Sequence, residues 1–226
     1  MKIFLSFLTL LFFTSFYAQS LKDFSAPKGY TKIAEVKGDL DKDGQNEIII
    51  AFDTDTKASE MEDYSGRKDV QRIFYILKNE NNHLKIWKTN STFLLSSGIG
   101  FYPENNILEF SIKNNCLIVV QQFSTNSRHT QGYTHTFRFQ NDDFYLIGSQ
   151  DTFEDTCEFN FMNVINFSTG KVVVDREYSS CDEDSKVPPN YHKEFIHKLP
   201  TLVKMNDFKI GEHKFKIPGS KEDFVF

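Results

Sequence analysis

GYTHTFRFQNDDFYLIG, residues 132–148, alternates its side chains with a period of two. On an extended chain Tyr133, His135, Phe137 and Phe139 fall on one side, and Thr134, Thr136, Arg138 and Gln140 on the other. The aromatic side is expected to face a core. Asn141-Asp142-Asp143 supplies turn residues and a second apolar run follows at 144–148, so the stretch reads as a β-hairpin. The same rhythm extends outward in both directions. Short β-branched and aromatic runs at 31–37, 47–52, 72–77, 84–88, 107–112, 116–123, 158–167 and 171–178 are separated by Asn, Asp and Gly, and sustained helical periodicity is nearly absent. Residues 79–82, 113–115 and 168–170 join neighbouring runs as hairpin turns. The expected fold is all-β: an antiparallel meander of about ten strands, arranged as a sandwich or a propeller-like array, with few short helices.

The first residues, MKIFLSFLTLLFFTSFYAQS, place one lysine before an apolar run that gives way to small and polar residues around Ala18. This is the pattern of a secretory signal peptide, expected to span residues 1–18. Gln19, Ser20, Lys22 and Asp23 end the apolar stretch short of the roughly 20 residues a membrane span needs. The expected product is therefore exported, periplasmic or extracellular, with no membrane span after cleavage. Removing the first 18 of 226 residues leaves 208, organised as a β-rich domain over 19–186 and a C-terminal extension, 187–226, packed on the same domain. Within that extension 194–199 is expected to form a short helix, and 54–70 reads as a long exposed loop. The formal net charge of −5 becomes −6 once Lys2 is lost, which argues against nucleic acid as a partner. Of the cysteines, Cys157 and Cys181 lie in polar, acidic surroundings and are expected to pair outside the cytoplasm. Cys116 heads the run CLIVV and is expected to be a buried thiol.

One loop carries metal chemistry. In DLDKDGQNE, residues 39–47, Asp39, Asp41 and Asp43 offer carboxylates at positions 1, 3 and 5, and Gln45 offers its backbone carbonyl at position 7. Glu47 offers a carboxylate at position 9, and Gly44 sits where the chain must turn with positive φ. Calcium takes six to eight oxygen ligands, and a tight turn can supply them from alternate residues. An EF-hand closes with glutamate at position 12 between helices; here position 12 is Ile50 and the loop runs into the strand EIIIAF. Three aspartates and a glutamate converging on one turn repel one another unless a cation neutralises them. A metal-free Asp-Gly turn and a different divalent ion are the alternatives. The segment GDLDKDGQNEIII resembles the calcium loop of FG-GAP and VCBS repeats, whose pattern D-x-D-x-D-G-x-x-D precedes an apolar strand. Asp39, Asp41, Asp43 and Gly44 match it and Glu47 replaces the last aspartate; the resemblance implies that these carboxylates bind Ca2+. It covers residues 37–52, and the loop occurs once, whereas propellers repeat it.

No other set of residues spells out a reaction. His129 and His135 stand six apart with no third ligand, and His192 and His197 miss the i, i+4 spacing of a zinc helix. Thr169-Gly170-Lys171 lacks the glycine that a phosphate loop requires, and 96–100 holds neither a nucleophile elbow nor a dinucleotide fingerprint. The acidic groups Asp151-Glu154-Asp155-Glu158 and Asp182-Glu183-Asp184 flank the expected disulfide; they read as solvated surface, a second weak cation site, or a carboxylate pair for glycoside hydrolysis. The expected function is that of an exported, non-enzymatic calcium-binding β-protein in which calcium is structural. It would serve as a binding module for a protein or glycan, with Trp87, Phe101, Tyr102 and the 54–70 loop as candidate surface. A hydrolase or lyase acting on polysaccharide or peptide through dispersed carboxylates is the alternative.

Overall fold

The computed structural model describes residues 24–58, 68–182 and 184–226. The expected signal peptide, 1–18, and Glu183 lie outside the described residues. The chain is all-β and runs as a meander in which, within each sheet, strands pair only with their sequence neighbours. A four-stranded antiparallel sheet is formed by β1 (Thr31–Gly38), β2 (Glu47–Lys57), β3 (Val70–Glu80) and β4 (His83–Asn90). A seven-stranded sheet follows, from β5 (Ile107–Lys113), β6 (Cys116–Ser124), β7 (His129–Gln140), β8 (Asp143–Asp155), β9 (Phe159–Asn166) and β10 (Lys171–Tyr178) to β11 (Tyr191–Ile196). A small hairpin of β12 (Lys214–Lys216) and β13 (Asp223–Val225) completes the set.

Three of the hairpins are closed by two residues, and both are in the left-handed region: Asn81 and Asn82 (φ 56° and 66°), Asn114 and Asn115 (52° and 58°), Asn141 and Asp142 (48° and 62°). Positive φ at both positions is what a type I′ turn demands, because its twist matches that of the flanking strands. Asn and Asp reach this region at low cost, which explains their recurrence between the apolar runs.

The two large sheets share one apolar core, which makes the arrangement layered rather than a ring of four-stranded blades. The first sheet contributes Ile49, Ala51, Phe74 and Ile76, and the second Leu117, Val119, Phe137, Phe144, Leu146, Ile165, Val172 and Val174. Phe93, in the connection between them, sits with its ring 5.8 Å from Phe74, 4.8 Å from Phe137 and 5.8 Å from Phe208. Strand β2 is buried on both faces. Its outward residues Ile48, Ile50 and Phe52 are covered by Phe24 and Tyr30 of the segment preceding β1, which accounts for the unbroken run EIIIAF.

Two expectations are corrected. Residues 194–199 are not helical: Tyr191–Ile196 forms β11, pairing antiparallel with β10 from Lys171↔Ile196 to Arg176↔Tyr191. Its pattern is strand-like, since Phe195 packs on the core while Glu194 and Ile196 are exposed. The expected exposed loop is also shorter at both ends. Strand β2 continues to Lys57, held by an Arg72–Asp53 ion pair of 2.8 Å and by Thr54 Oγ1 donating to the Gln71 carbonyl, and Val70 is buried at the start of β3. The middle of that loop, 59–67, lies outside the described residues. The segment after residue 186 is built into the fold. Besides β11 it provides Met205, Phe208, Ile217, Phe224 and Phe226 to the core.

Cys116 is a buried free thiol. His135 is fully buried among Phe93, Phe208 and Tyr133, with Val119 and Ser149 as its cross-strand partners; none of these carries charge at neutral pH. Neither ring nitrogen has a hydrogen-bond partner, and burial pushes its pKa down to about 3. The folded protein therefore refuses a proton that the unfolded chain accepts below about pH 6.5. Stability is retained above that pH and falls as pH drops from 6.5 toward 3, by up to about 1.4 kcal/mol per unit. His135→Leu should flatten this dependence between pH 7 and pH 4.5, measured as the urea midpoint at each pH; equal slopes for both proteins would contradict it.

Candidate metal centre

Residues 39–46 connect β1 to β2 at the seam between the two large sheets. Gly38 lies so close to Ile112 of β5 that an added Cβ would come within 2.7 Å of its side chain, and Asn115 Nδ2 donates to the Asp39 carbonyl at 2.7 Å. Leu40 points into the core at 1% exposure, so its neighbours Asp39 and Asp41 are left on the outer side of the loop. The turn is shaped by its own carboxylates. Asp39 accepts from the backbone N–H groups of Lys42 (Oδ1, 2.6 Å) and Gly44 (Oδ2, 3.2 Å), while Asp41 Oδ1 accepts from Asp43 at 3.4 Å and Asp43 Oδ1 from Gln45 at 2.8 Å. Lys42 and Gly44 take positive φ, 68° and 82°. Gly44 is needed for that conformation and not for space, since nothing lies within 4 Å of where its Cβ would be.

The result brings Asp39, Asp41 and Asp43 together, with one carboxylate oxygen from each within 4.8 Å of the others. Such a set of hard oxygen donors could hold a metal ion. Glu47 lies outside this triad. Its side chain is fully buried at the start of β2, where Oε2 accepts the Leu40 N–H at 2.7 Å and Oε1 has no hydrogen-bond partner. Burial pushes its carboxyl up; the Leu40 N–H opposes this, Asp41 adds repulsion, and Lys78 and Asp43 contribute smaller opposing effects. Gln45 takes part in the turn through its backbone N–H. Glu47 thus keeps a buried carboxylate oxygen without a hydrogen-bond partner, and Asp41 and Asp43 are near enough to raise its pKa further.

Lys78, on β3, was not part of the sequence expectation. Its ammonium bonds Asp41 and also Asp43, the latter at 2.9 Å, and stands 5.1 Å over the ring of Trp87. The signal that could have revealed it is strand register. Ile48 pairs with Leu77, which sets the next residue of β3 beside the loop's exit.

The remaining sequence candidates are structural in their contacts. Trp87 packs on Phe139 and Phe144, whereas Phe101 and Tyr102 form an exposed edge-to-face pair, 4.6 Å between centroids. His129 and His135 do not converge: they oppose Asp155 and Ser149 on β8. His129 Nε2 lies 2.9 Å from Asp155 Oδ2, and its Nδ1 is 3.0 Å from Asn126 Nδ2. His192 pairs with Asp175, and His197 stacks on Phe215 at 3.7 Å.

The Cys157–Cys181 disulfide is present, with Cα atoms 5.5 Å apart. Asp155 organises the loop before it, accepting from Arg128 Nη2 and from the N–H groups of Cys157 and Glu158, each at 2.8 Å. Burial alone would raise the Asp155 pKa, but Arg128 and the two backbone donors outweigh it and hold it at about 2. Its contribution to stability is thus present above about pH 4 and lost only between there and about pH 2. Among the described residues two carboxyls are pushed upward by burial, and they sit on different sheets: Glu47 on β2 and Asp151 on β8, where Gln131 and Asn163 hydrogen-bond to it and Arg176 moderates the shift. Beside Asp151, the Tyr133 hydroxyl is pushed up to about 12 by burial and by that carboxylate.

Comparison with protein-family models, with curated proteins and with solved structures gives no match.

The disulfide joins residues 24 apart in sequence. Closing a loop of that length constrains the unfolded chain by about 3 kcal/mol in the chain-entropy account. Replacing Cys157 and Cys181 together by serine should lower the unfolding free energy by about that amount. Urea denaturation of the double variant and of reduced wild type should agree; an unchanged midpoint in both would overturn the assignment.

Proposed function

We propose that this chain is an exported, non-enzymatic β-protein whose 39–47 loop binds calcium, with the ion serving to hold the fold rather than to carry out chemistry. The observation that carries this reading is the convergence of Asp39, Asp41 and Asp43, in a loop that ends on a buried Glu47 with one oxygen unpartnered. Asp39, Asp41 and Asp43 would hold the ion, with the Gln45 carbonyl and Glu47 completing the oxygen set. The ligand spacing shared with FG-GAP and VCBS loops supports the same assignment. Bound calcium supplies positive charge at the junction of β1, β2 and the second sheet. The protein's own residues do the positioning: Leu40 anchors the turn in the core, and Gly44 lets it close. The disulfide is in keeping with an oxidising compartment. There, free calcium is high enough for a site of 10⁻⁴ to 10⁻³ M affinity to fill, roughly the range of extracellular modules.

The role that fits such a scaffold is that of an envelope or secreted binding module for a protein or glycan, and the exposed Phe101–Tyr102 pair is a candidate contact. Hydrolysis by dispersed carboxylates has less support. Asp155 is tied to Arg128 and held ionised, and the two carboxyls with raised pKa belong to different sheets.

A ligand that binds only the folded state raises the melting temperature. At ten times its Kd, calcium should stabilise the mature protein by about 1.4 kcal/mol and raise Tm by about 3–6 °C. Asp41→Ala should abolish the increase. A melting curve that is the same in excess EDTA and in millimolar calcium would rule the reading out.

A further inference from the structure

The oxygens of the loop can be accounted for one by one. Both Asp39 oxygens accept backbone N–H groups, as do Asp41 Oδ1 and Asp43 Oδ1. The remaining aspartate oxygens, Asp41 Oδ2 and Asp43 Oδ2, are both held by the Lys78 ammonium. A cation that takes six to eight oxygens cannot leave these two aside, because they are the ones the backbone does not use. Nor can the ammonium stay on them beside a dication, since like charges a few ångströms apart repel. Lys78 is well placed to wait there. Its side chain is only 21% exposed, and the ring beneath it belongs to Trp87, itself fixed against Phe139 and Phe144.

We propose that Lys78 is the loop's internal cation: it neutralises Asp41 and Asp43 when calcium is scarce, must be displaced for calcium to enter, and so sets the calcium concentration at which the loop locks. This rests on the calcium reading above and adds to it the residue that tunes the site. A lysine side chain carries its positive charge at neutral pH, and here that charge is fixed by two carboxylates and the Trp87 ring, so the occupant is a standing cation. The competition is therefore between two cations for one pair of oxygens. Calcium gains entry only by breaking two ion pairs and a cation–π contact, which lowers its apparent affinity, while the calcium-free loop remains closed on Lys78 instead of opening by repulsion.

The sequence contains a single tryptophan, Trp87, which makes the displacement directly visible. Calcium added to the mature wild-type protein should change its tryptophan emission, and the Lys78 amine should become more reactive toward an amine-acylating reagent as the site fills. In Lys78→Met, calorimetric titration should show calcium bound at least about tenfold more tightly. The variant's emission should not respond to calcium, and its calcium-free form should melt below the calcium-free wild type. Equal affinity in wild type and variant, with unchanged Lys78 reactivity, overturns the proposal and leaves the calcium site standing. Binding to neither protein removes the calcium reading and this inference with it. Binding to Lys78→Met alone keeps Lys78 as the competing cation and retires calcium as the natural ligand. The reactivity measurement uses wild type only, so it decides the question even if the variant fails to fold.

Discussion

The two large sheets meet through a chain of aromatic contacts that runs from Phe110 through Phe74 and Phe93 to Phe137 and Phe208. A meander has few other ways to keep its halves together, because each strand hydrogen-bonds only to its sequence neighbours and no strand crosses from one sheet to the other. Burial of these rings joins residues far apart in sequence: Phe74 from the first sheet, Phe137 from the second, and Phe208 from the C-terminal segment. Truncating a buried phenylalanine in such a position typically costs about 3–5 kcal/mol, a large share of a domain's net stability. That seam also determines where the charged loop can sit, since Leu40 belongs to the same core and pins the turn between Asp39 and Asp41 to its edge.

The loop's electrostatics follow from this placement. Folding draws Asp39, Asp41 and Asp43 together and buries Glu47 at the end of their loop, while Coulomb repulsion rises as the dielectric falls. The backbone N–H groups of Lys42, Asp43, Gly44 and Gln45 answer part of that charge and Lys78 answers more, but three aspartates with one ammonium on two of them leave an excess of negative charge.

Most of the meander was legible because two local signals agreed: period-two alternation within strands and Asn or Asp pairs between them. The hairpins at Asn81-Asn82, Asn114-Asn115 and Asn141-Asp142 show why, since the residues that mark the turn in sequence are those that tolerate its positive φ. Strand β11 was less legible. YHKEFI mixes charged and aromatic residues, and its place at the edge of the sheet leaves most of its side chains exposed, so its pattern resembles that of a short amphipathic helix. The full length of β2 was hidden for a related reason: DTDTK carries no apolar period, and its pairing is held by Asp53–Arg72 and by the backbone. The three aspartates could be read directly because their spacing is local. Lys78 could not, since it lies 37 residues from Asp41 and reaches it only once the register of three strands is fixed.

Glu47 has a structural task that ligand counting along the chain does not reveal. Counting ligands along the chain places it ninth in a calcium loop, yet its carboxylate also caps the Leu40 N–H from inside the fold. One oxygen therefore ties the turn to the core and the other stays buried without a hydrogen-bond partner, while Asp41 and Asp43 act on the group electrostatically. Burying a carboxylate in that position costs stability, and the Leu40 N–H and the charge of Lys78 offset part of that cost. The sheet seam, the buried glutamate and the lysine from the third strand thus act on a single quantity, the charge balance of the β1–β2 turn, and through Leu40 that balance is coupled to the packing of the whole core.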